Sequence, residues 1–219
     1  MIVIVGPIKC DSVQYLKENL LQMQPSMLIA LDGGIKLLLD ADIAPDLWIG
    51  DMDSAKKEWM EEINEKKISI QNFPKEKDDS DFDLAVQFVI KNFSPQQIEL
   101  FGMLGGRLDH MMFNLEVAKK LMNQTFNVCF RSEEMNVFLV KGPQSRSFSS
   151  EKGDIFSLLP WESSSEGLTA HGLKYPLKRD ILFPSTSRGL SNLAEEEQVK
   201  IEIEKGNLIV FHIKEVCRP

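Results

Sequence analysis

The chain has 219 residues, 43% of them apolar, 26% charged and 8% aromatic, a composition that excludes the fibrous and disordered classes. At this length folding buries roughly 70% of the unfolded chain's surface, enough for one large core or two modest ones. With 25 basic against 33 acidic residues the net charge is -8, which argues against a nucleic-acid backbone binder, since that needs a basic patch.

Apolar runs such as Met1 to Val5 fall far short of the ~20 residues of a membrane span, so no membrane partner is expected. No basic segment precedes that run, so no signal peptide is expected either. Cys10, Cys129 and Cys217 lie far apart and form no C-x-x-C pair. Structural zinc and a disulfide framework are both disfavoured, the three read as packing residues, and a reducing cytoplasm is the expected compartment.

Along the chain, short apolar runs alternate with amphipathic segments up to about residue 138. Met1 to Val5 reads as a strand, and Asp11 opens a helix with Val13, Leu16, Leu20 and Met23 on its apolar side. Met27 to Leu31 is a second strand, followed by a helix carrying Leu37, Leu38 and Ala41, and Leu47-Trp48-Ile49 a third. Trp59, Met60 and Ile63 mark the next helix, with Trp48 and Trp59 expected in the core, and Ile68 to Phe73 the next strand. Phe82, Val86, Val89 and Phe93 repeat at helical spacing, Ile98 to Phe101 is a strand, and Leu108, Met111, Leu115 and Met122 form another helical stripe. Strands alternating with helices in this way predict βαβ units and a largely parallel sheet, an α/β class.

After Phe126 the helical period disappears. Asn127 to Phe130 and Val137 to Val140 read as strands, and Lys141 to Ser150, with Gly, Pro and four serines, reads as a boundary. This gives domains 1–140 and 141–219. In the second, Ile155 to Leu159 is strand-like, and Val199, Ile201 and Ile203 alternate with charged residues before Lys205-Gly206-Asn207 leads into Leu208 to Ile213. A β-hairpin on an all-β tail is the expectation.

Ligands of open α/β sheets bind at the carboxyl ends of the strands, where this sequence places its most polar and glycine-rich pieces. Residues 40–83 also hold 14 Asp and Glu against 6 Lys, so this segment alone carries -8. Asp51 and Asp53, in Gly50-Asp51-Met52-Asp53-Ser54, point the same way on an extended backbone, about 7 Å apart. Two hard oxygen ligands there suit Mg²⁺, although Asp and Ser also favour plain turns. Four acids lie within Asp78 to Asp83, just after Lys75 and Lys77. Asp79 or Ser80 suits a helix cap, and Asp81 and Asp83 favour the helix macrodipole. Four like charges are costly to stack unless a cation sits among them. Gly105-Gly106 lets backbone approach a ligand, the following helix offers free N–H groups to an anion, and Arg107 adds donors matched to phosphate. His110 reads as a helix residue, and His171 and His212 are assigned no role. No Walker loop and no G-x-G-x-x-G is present, so any nucleotide is held in another way.

Taken together, Asp32-Gly33-Gly34, Gly50-Asp51-Met52-Asp53-Ser54, Glu76-Lys77-Asp78-Asp79-Ser80-Asp81 and Gly105-Gly106-Arg107-Leu108-Asp109-His110 with Asn114 resemble, in order and spacing, the motifs of the thiamine pyrophosphokinase family. Gly172-Leu173-Lys174-Tyr175-Pro176-Leu177 and Ser187-Arg188-Gly189-Leu190-Ser191-Asn192 resemble that family's thiamine-binding segments, so the likeness spans essentially the whole chain. The resemblance implies a Rossmann-like catalytic domain followed by a small β-sandwich, assembled as a homodimer with sites between subunits. It implies transfer of a pyrophosphoryl group from ATP to the thiamine hydroxyl, giving thiamine diphosphate and AMP. Asp51, Asp53 and Asp78 or Asp81 would then surround Mg²⁺, and Lys77 and Arg107 would stabilise phosphate charge. The remaining residues of these motifs (Asp32, Gly33, Gly34, Gly105, Gly106, Asp109, His110, Asn114, Tyr175, Ser187, Ser191 and Asn192) would bind the two substrates. Tyr175 stands where some members, mainly eukaryotic ones, carry Trp, which makes the stacking surface smaller. Two rivals remain: a phosphohydrolase that forms an aspartyl-phosphate on the D-x-D loop, and a non-catalytic thiamine-binding protein on the same fold.

Overall fold

The computed structural model describes residues 1–8, 11–50, 57–72, 79–94 and 96–215. The chain divides into two compact units, Met1–Glu133 and Glu134–Pro219.

In the first unit, strands and helices alternate in the order β1 (Ile2–Val5), α1 (Val13–Met23), β2 (Met27–Leu31), α2 (Gly34–Asp40), β3 (Leu47–Gly50), α3 (Lys57–Glu65) and β4 (Ser69–Asn72). They continue through α4 (Asp81–Asn92), β5 (Gln97–Phe101), α5 (Leu108–Asn123) and β6 (Asn127–Arg131). All six strands are parallel, in the spatial order β4-β3-β2-β1-β5-β6. Val3 and Val5 of β1 pack with Leu28, Ala30, Trp48 and Phe101 against Leu16 and Leu20 of α1, Ile35 and Leu38 of α2 and Ile63 of α3. The alternate residues Ile2, Ile4, Ile29 and Ile49 are buried as well, so both sheet faces are covered. A parallel sheet requires this, and it explains why these strands read as unbroken apolar runs. Trp48 is 1% exposed and Trp59 packs at the margin of the same core. Cys129 on β6 is buried, and Cys10 and Cys217 lie outside the described residues.

Helix starts follow local chemistry. Ser12 caps α1, its Oγ accepting from the Tyr15 N–H at 3.1 Å, and Ser80 caps α4 through the Asp83 N–H at 3.1 Å. Each cap is worth about 1 kcal/mol. Of the two candidates for the second cap, Asp79 and Ser80, the structure selects Ser80.

The second unit is antiparallel throughout. Its strands are β7 (Met135–Lys141), β8 (Gln144–Ser149), β9 (Ile155–His171), β10 (Leu177–Leu182), β11 (Asn192–Leu193), β12 (Gln198–Ile203) and β13 (Lys205–Ile213). β13 lies between β7 and the first half of β9, while β12 lies between β8 and the second half of β9. The long β9 therefore serves both sets of strands. Phe148 of β8 packs edge-on against Phe138 of β7 and Phe156 of β9, with ring centroids 4.8 and 6.0 Å apart.

Three expectations change here. The serine-rich stretch 141–150 holds a strand, because its polar residues alternate outward while Phe148 turns into the core. The division between units falls at 133/134, since β7 pairs along its whole length with β13. Finally, β12 and β13 do not form a hairpin: each pairs with β9, and the chain passes from one strand set to the other at Glu204. Among the described residues no helix is long and apolar enough to cross a membrane.

Candidate functional site

The strand order reverses at β1, which has β2 on one side and β5 on the other, and such a switch point opens a crevice beyond the carboxyl ends of the strands. The segments leaving β1 and β5 are tied together there. Gly6 N–H donates to Phe101 O at 2.8 Å, and Ile8 N–H donates to Gly102 O at 3.0 Å. Gly102 has φ +61°, and a Cβ on it would stand 2.4 Å from Gly6 O, so only glycine permits this approach.

A cavity of about 200 Å³ opens at this point. Pro7 and Ile8 line it after β1, Leu31 and Asp32 at the end of β2, Ser80, Asp81 and Phe82 at the start of α4, Gly102 and Met103 after β5, and His110 and Asn114 from α5. Four expected site residues, Asp32, Asp81, His110 and Asn114, thus meet at one cavity although they are spread over much of the unit.

Asp32 sits at φ +41°, a left-handed conformation that Asp tolerates better than most residues. Its surroundings hold it there: Asp32 N–H donates to Ile49 O at 2.8 Å, and its carbonyl accepts from Trp48 Nε1 at 2.9 Å. Gly33 is the N-cap of α2, and Gly34, its first residue, packs so closely on β1 that a Cβ would lie 2.1 Å from Val5 O.

The acidic run before α4 separates into two groups. Lys120 Nζ on α5 lies 2.8 Å from both carboxylate oxygens of Asp83. Gln87 Nε2 donates at 3.2 Å to Asp79 Oδ2 and to Asp83 Oδ1. Of these three described acids, Asp81 is the one at the cavity. Asp51, Asp53, Lys77 and Asp78 lie outside the described residues.

Gly105 and Gly106 both have positive φ and deliver the chain to Arg107, which begins α5 without capping it by its side chain. The Arg107 guanidinium forks onto Asp109, and this hydrogen-bonded pair lowers the Asp109 pKa to about 2. The Arg107 and Asp109 side chains are 72% and 54% exposed, and neither lines the cavity. Asn114 Nδ2 donates to Met103 O at 3.0 Å, fixing the loop after β5 from the helix side.

In the second unit Tyr175 is 64% exposed, with Lys174 Nζ 5.7 Å from its ring centroid. Asn192 is bound to the Tyr175 peptide: its Oδ1 accepts from Tyr175 N–H at 3.0 Å, and its Nδ2 donates to Tyr175 O at 2.7 Å. Ser191, at φ +56°, donates its N–H to Ser157 Oγ, and the carbonyl of Ser187 closes a turn with Leu190 N–H.

Pro7, Ile8, Met103 and Phe82 were not expected at the site. They are apolar or uncharged, and a search for polar clusters passes over them. Their position directly after β1 and β5, or at the start of α4, was the available signal. Among the described residues no group of three or more His, Cys, Asp or Glu is placed to hold a metal ion. Asp32 and Asp81 at the cavity carry carboxylate oxygens, the hard donors that Mg²⁺ takes.

Residues 19–130 match the family model for the thiamin pyrophosphokinase catalytic domain, and residues 145–208 match that for the thiamin pyrophosphokinase vitamin B1 binding domain. The chain is 26% identical over 183 residues to thiamine pyrophosphokinase of Bacillus subtilis, covering 84% of this chain and 85% of that one. It is 30% identical over 165 residues to thiamine pyrophosphokinase 1 of Oryza sativa, covering 72% of this chain and 62% of the longer plant protein. The crystal structure of the Bacillus subtilis protein superposes with a TM-score of 0.83 at 24% identity, over 97% of each chain.

Proposed function

The chain belongs to the thiamin pyrophosphokinase family and is a thiamine diphosphokinase, and we propose that the cavity beyond β1, β2 and β5 is where it holds ATP. The observation that carries this reading is the convergence of Asp32, Asp81, His110 and Asn114 on one cavity at the carboxyl ends of parallel strands. In this reading the first unit is a Rossmann-like catalytic domain and the second a thiamine-binding β-sandwich. Two copies form a homodimer with sites between subunits, and the compartment is the cytoplasm.

The thiamine hydroxyl oxygen attacks the β-phosphorus of ATP. The new O–P bond forms, the bond from the β-phosphorus to the bridging oxygen of AMP breaks, and the hydroxyl proton is released. Asp51, Asp53 and Asp78 or Asp81 would hold Mg²⁺, which supplies neutralisation of triphosphate charge when bound. Lys77 and Arg107 stabilise phosphate charge, for which Arg107 exchanges Asp109 for a phosphate oxygen. Gly33, Gly34, Gly105 and Gly106 let backbone N–H groups approach the nucleotide, and Tyr175, Ser187, Ser191 and Asn192 form the thiamine side. Such transfer is mostly positioning and electrostatics, so no single strong base is assigned.

The test is incubation with ATP, Mg²⁺ and thiamine, with the products resolved by chromatography. AMP and thiamine diphosphate are expected in equal amounts, and chelation of Mg²⁺ is expected to stop both. Accumulation of ADP or of free phosphate would overturn the proposed transfer and favour a phosphohydrolase. Binding of thiamine without any turnover would favour a non-catalytic relative.

A further inference from the structure

Asn192 makes an unusual set of bonds for a residue expected at a substrate. Its backbone pairs with Phe156 of β9. On its other side the segment 173–174 forms a short antiparallel contact with 193–194, through the Leu173–Ala194 bridge and the Lys174 N–H to Leu193 O bond of 2.8 Å. Lys174 and Leu193 form the hydrogen-bonded pair there, so the next residues, Tyr175 and Asn192, would face each other without backbone hydrogen bonds in a regular ladder. The backbone of Asn192 is committed to β9, and the left-handed Ser191 turns the chain away. The Asn192 carboxamide supplies the partners that the facing backbone does not. It offers a carbonyl to Tyr175 N–H at 3.0 Å and an N–H to Tyr175 O at 2.7 Å, as a peptide unit would. Its Oδ1 also accepts from Leu193 N–H at 3.0 Å, so both lone pairs of that oxygen are used.

Tyr175 needs such a clasp. It precedes Pro176, which has no N–H to extend a ladder, and the residue is 64% exposed, so packing does little to fix it. One side chain satisfies both backbone polar groups of Tyr175 and thereby sets where the ring stands.

We infer that Asn192 is a positioning residue that acts on thiamine through Tyr175, by holding the Tyr175 peptide so that the ring is presented for stacking. This rests on the reading that Tyr175 stacks on thiamine. Aspartate cannot replace Asn192, because it keeps the acceptor and loses the N–H that holds Tyr175 O.

The test is a double-mutant cycle on the full enzyme, with KM for thiamine, KM for ATP and kcat measured for Tyr175→Ala, Asn192→Ala and the double variant. Each single variant is expected to raise KM for thiamine several-fold with KM for ATP unchanged. The double variant is expected to be no worse than Tyr175→Ala alone. If the two effects multiply, Asn192 acts independently of Tyr175 and the inference is overturned while the stacking reading stands. If Tyr175→Ala leaves KM for thiamine unchanged, the stacking reading and the inference fall together. Should Asn192→Ala not fold, Asn192→Asp, which retains the bond from Tyr175 N–H, takes its place in the cycle with the same expected pattern.

Discussion

Lys120 of α5 places its ammonium 2.8 Å from both carboxylate oxygens of Asp83 in the first turn of α4, and this one pair reorganises the acidic run that precedes the helix. Four acids in six residues call for a cation, and part of that cation is supplied by the protein. Asp83 is thereby turned to a neighbouring helix, while Asp81 lines the cavity. Asp83→Asn is therefore expected to retain Mg²⁺-dependent turnover. Lys120, half-exposed, is expected to cost only about 0.2–1 kcal/mol when changed to Ala, as surface pairs do. Urea unfolding together with a Mg²⁺ titration of activity checks both; a collapse of turnover in Asp83→Asn would place that carboxylate at the metal.

Asp81 carries the opposite expectation. Asp81→Asn keeps the volume and the Ser80 cap beside it, so folding should be nearly unchanged. On the proposed reading, in which Asp81 stands beside the transferring phosphate, its loss should lower kcat/KM on the order of a hundred-fold and raise the Mg²⁺ needed for half-maximal rate. Near-normal turnover with an unchanged Mg²⁺ requirement would leave Asp81 only its favourable position at the start of α4, worth about 0.3–1 kcal/mol.

Gly102 and Gly33 separate two reasons for a glycine. At Gly102 the positive φ and the 2.4 Å approach to Gly6 O both oppose a side chain, and the obstacle is backbone. Gly102→Ala is expected to cost about 2 kcal/mol or more and to disturb the cavity where β1 and β5 end. Gly33 has φ -62°, and a Cβ there would meet only Pro7 Cβ, at 3.3 Å. Gly33→Ala is expected to stay within about 1 kcal/mol of the parent. Thermal unfolding of the two variants side by side decides; equal stability would mean that the β1–β5 junction relaxes easily.

The alternating strands and helices up to β6 were legible because local burial fixes them: Val3, Val5, Leu16, Leu20 and Trp48 are apolar where the fold needs them apolar. The second unit was read less well, for a physical reason. Its pairings are non-local, and the alternation of β12 followed by a Lys-Gly-Asn turn has the local signature of a hairpin even though both flanking strands pair with β9. The polar half of β9, Glu162 to Gly167, has none of the apolar alternation that marks a strand, yet Ser165 there is fully buried and bonded to Asn207 O. At the cavity, Asp32 and Asp81 stand out in the sequence as acids at the end of a strand and the start of a helix, whereas His110 reads as an ordinary helix residue and Asn114 enters only through the family resemblance. That Arg107 rests on Asp109, and that Asn192 holds a residue 17 positions away, is geometry that no spacing encodes.

Asp154 gives the second unit a pH dependence whose sign follows from its partners. Asp154 and His212 are 4% and 6% exposed, and His212 Nε2 lies 2.7 Å from Asp154 Oδ2. The Glu151 and Glu215 N–H groups each donate to the same carboxylate at 2.9 Å, and Lys214 and the Glu151 and Glu215 side chains line the cavity beside it. Burial alone raises the carboxyl's pKa, but the His212 bond and the two backbone amides outweigh it and hold the carboxyl below its ordinary value. A carboxyl depressed in the fold stabilises the protein above its unfolded pKa of about 3.9, and that contribution is lost as pH falls through the folded value. Asp154→Asn keeps the volume, loses the charge-assisted bonds, and is expected to cost about 1–3 kcal/mol at pH 7. Other carboxylates also titrate on acidification, so the informative quantity is the difference between parent and variant in urea unfolding from neutral pH down to about pH 3. The difference is expected to shrink below about pH 4, as the parent's Asp154 takes up its proton and loses the advantage it holds over asparagine. A difference that stays constant across the series would mean that Asp154 acts by shape and neutral hydrogen bonding, with its charge contributing nothing.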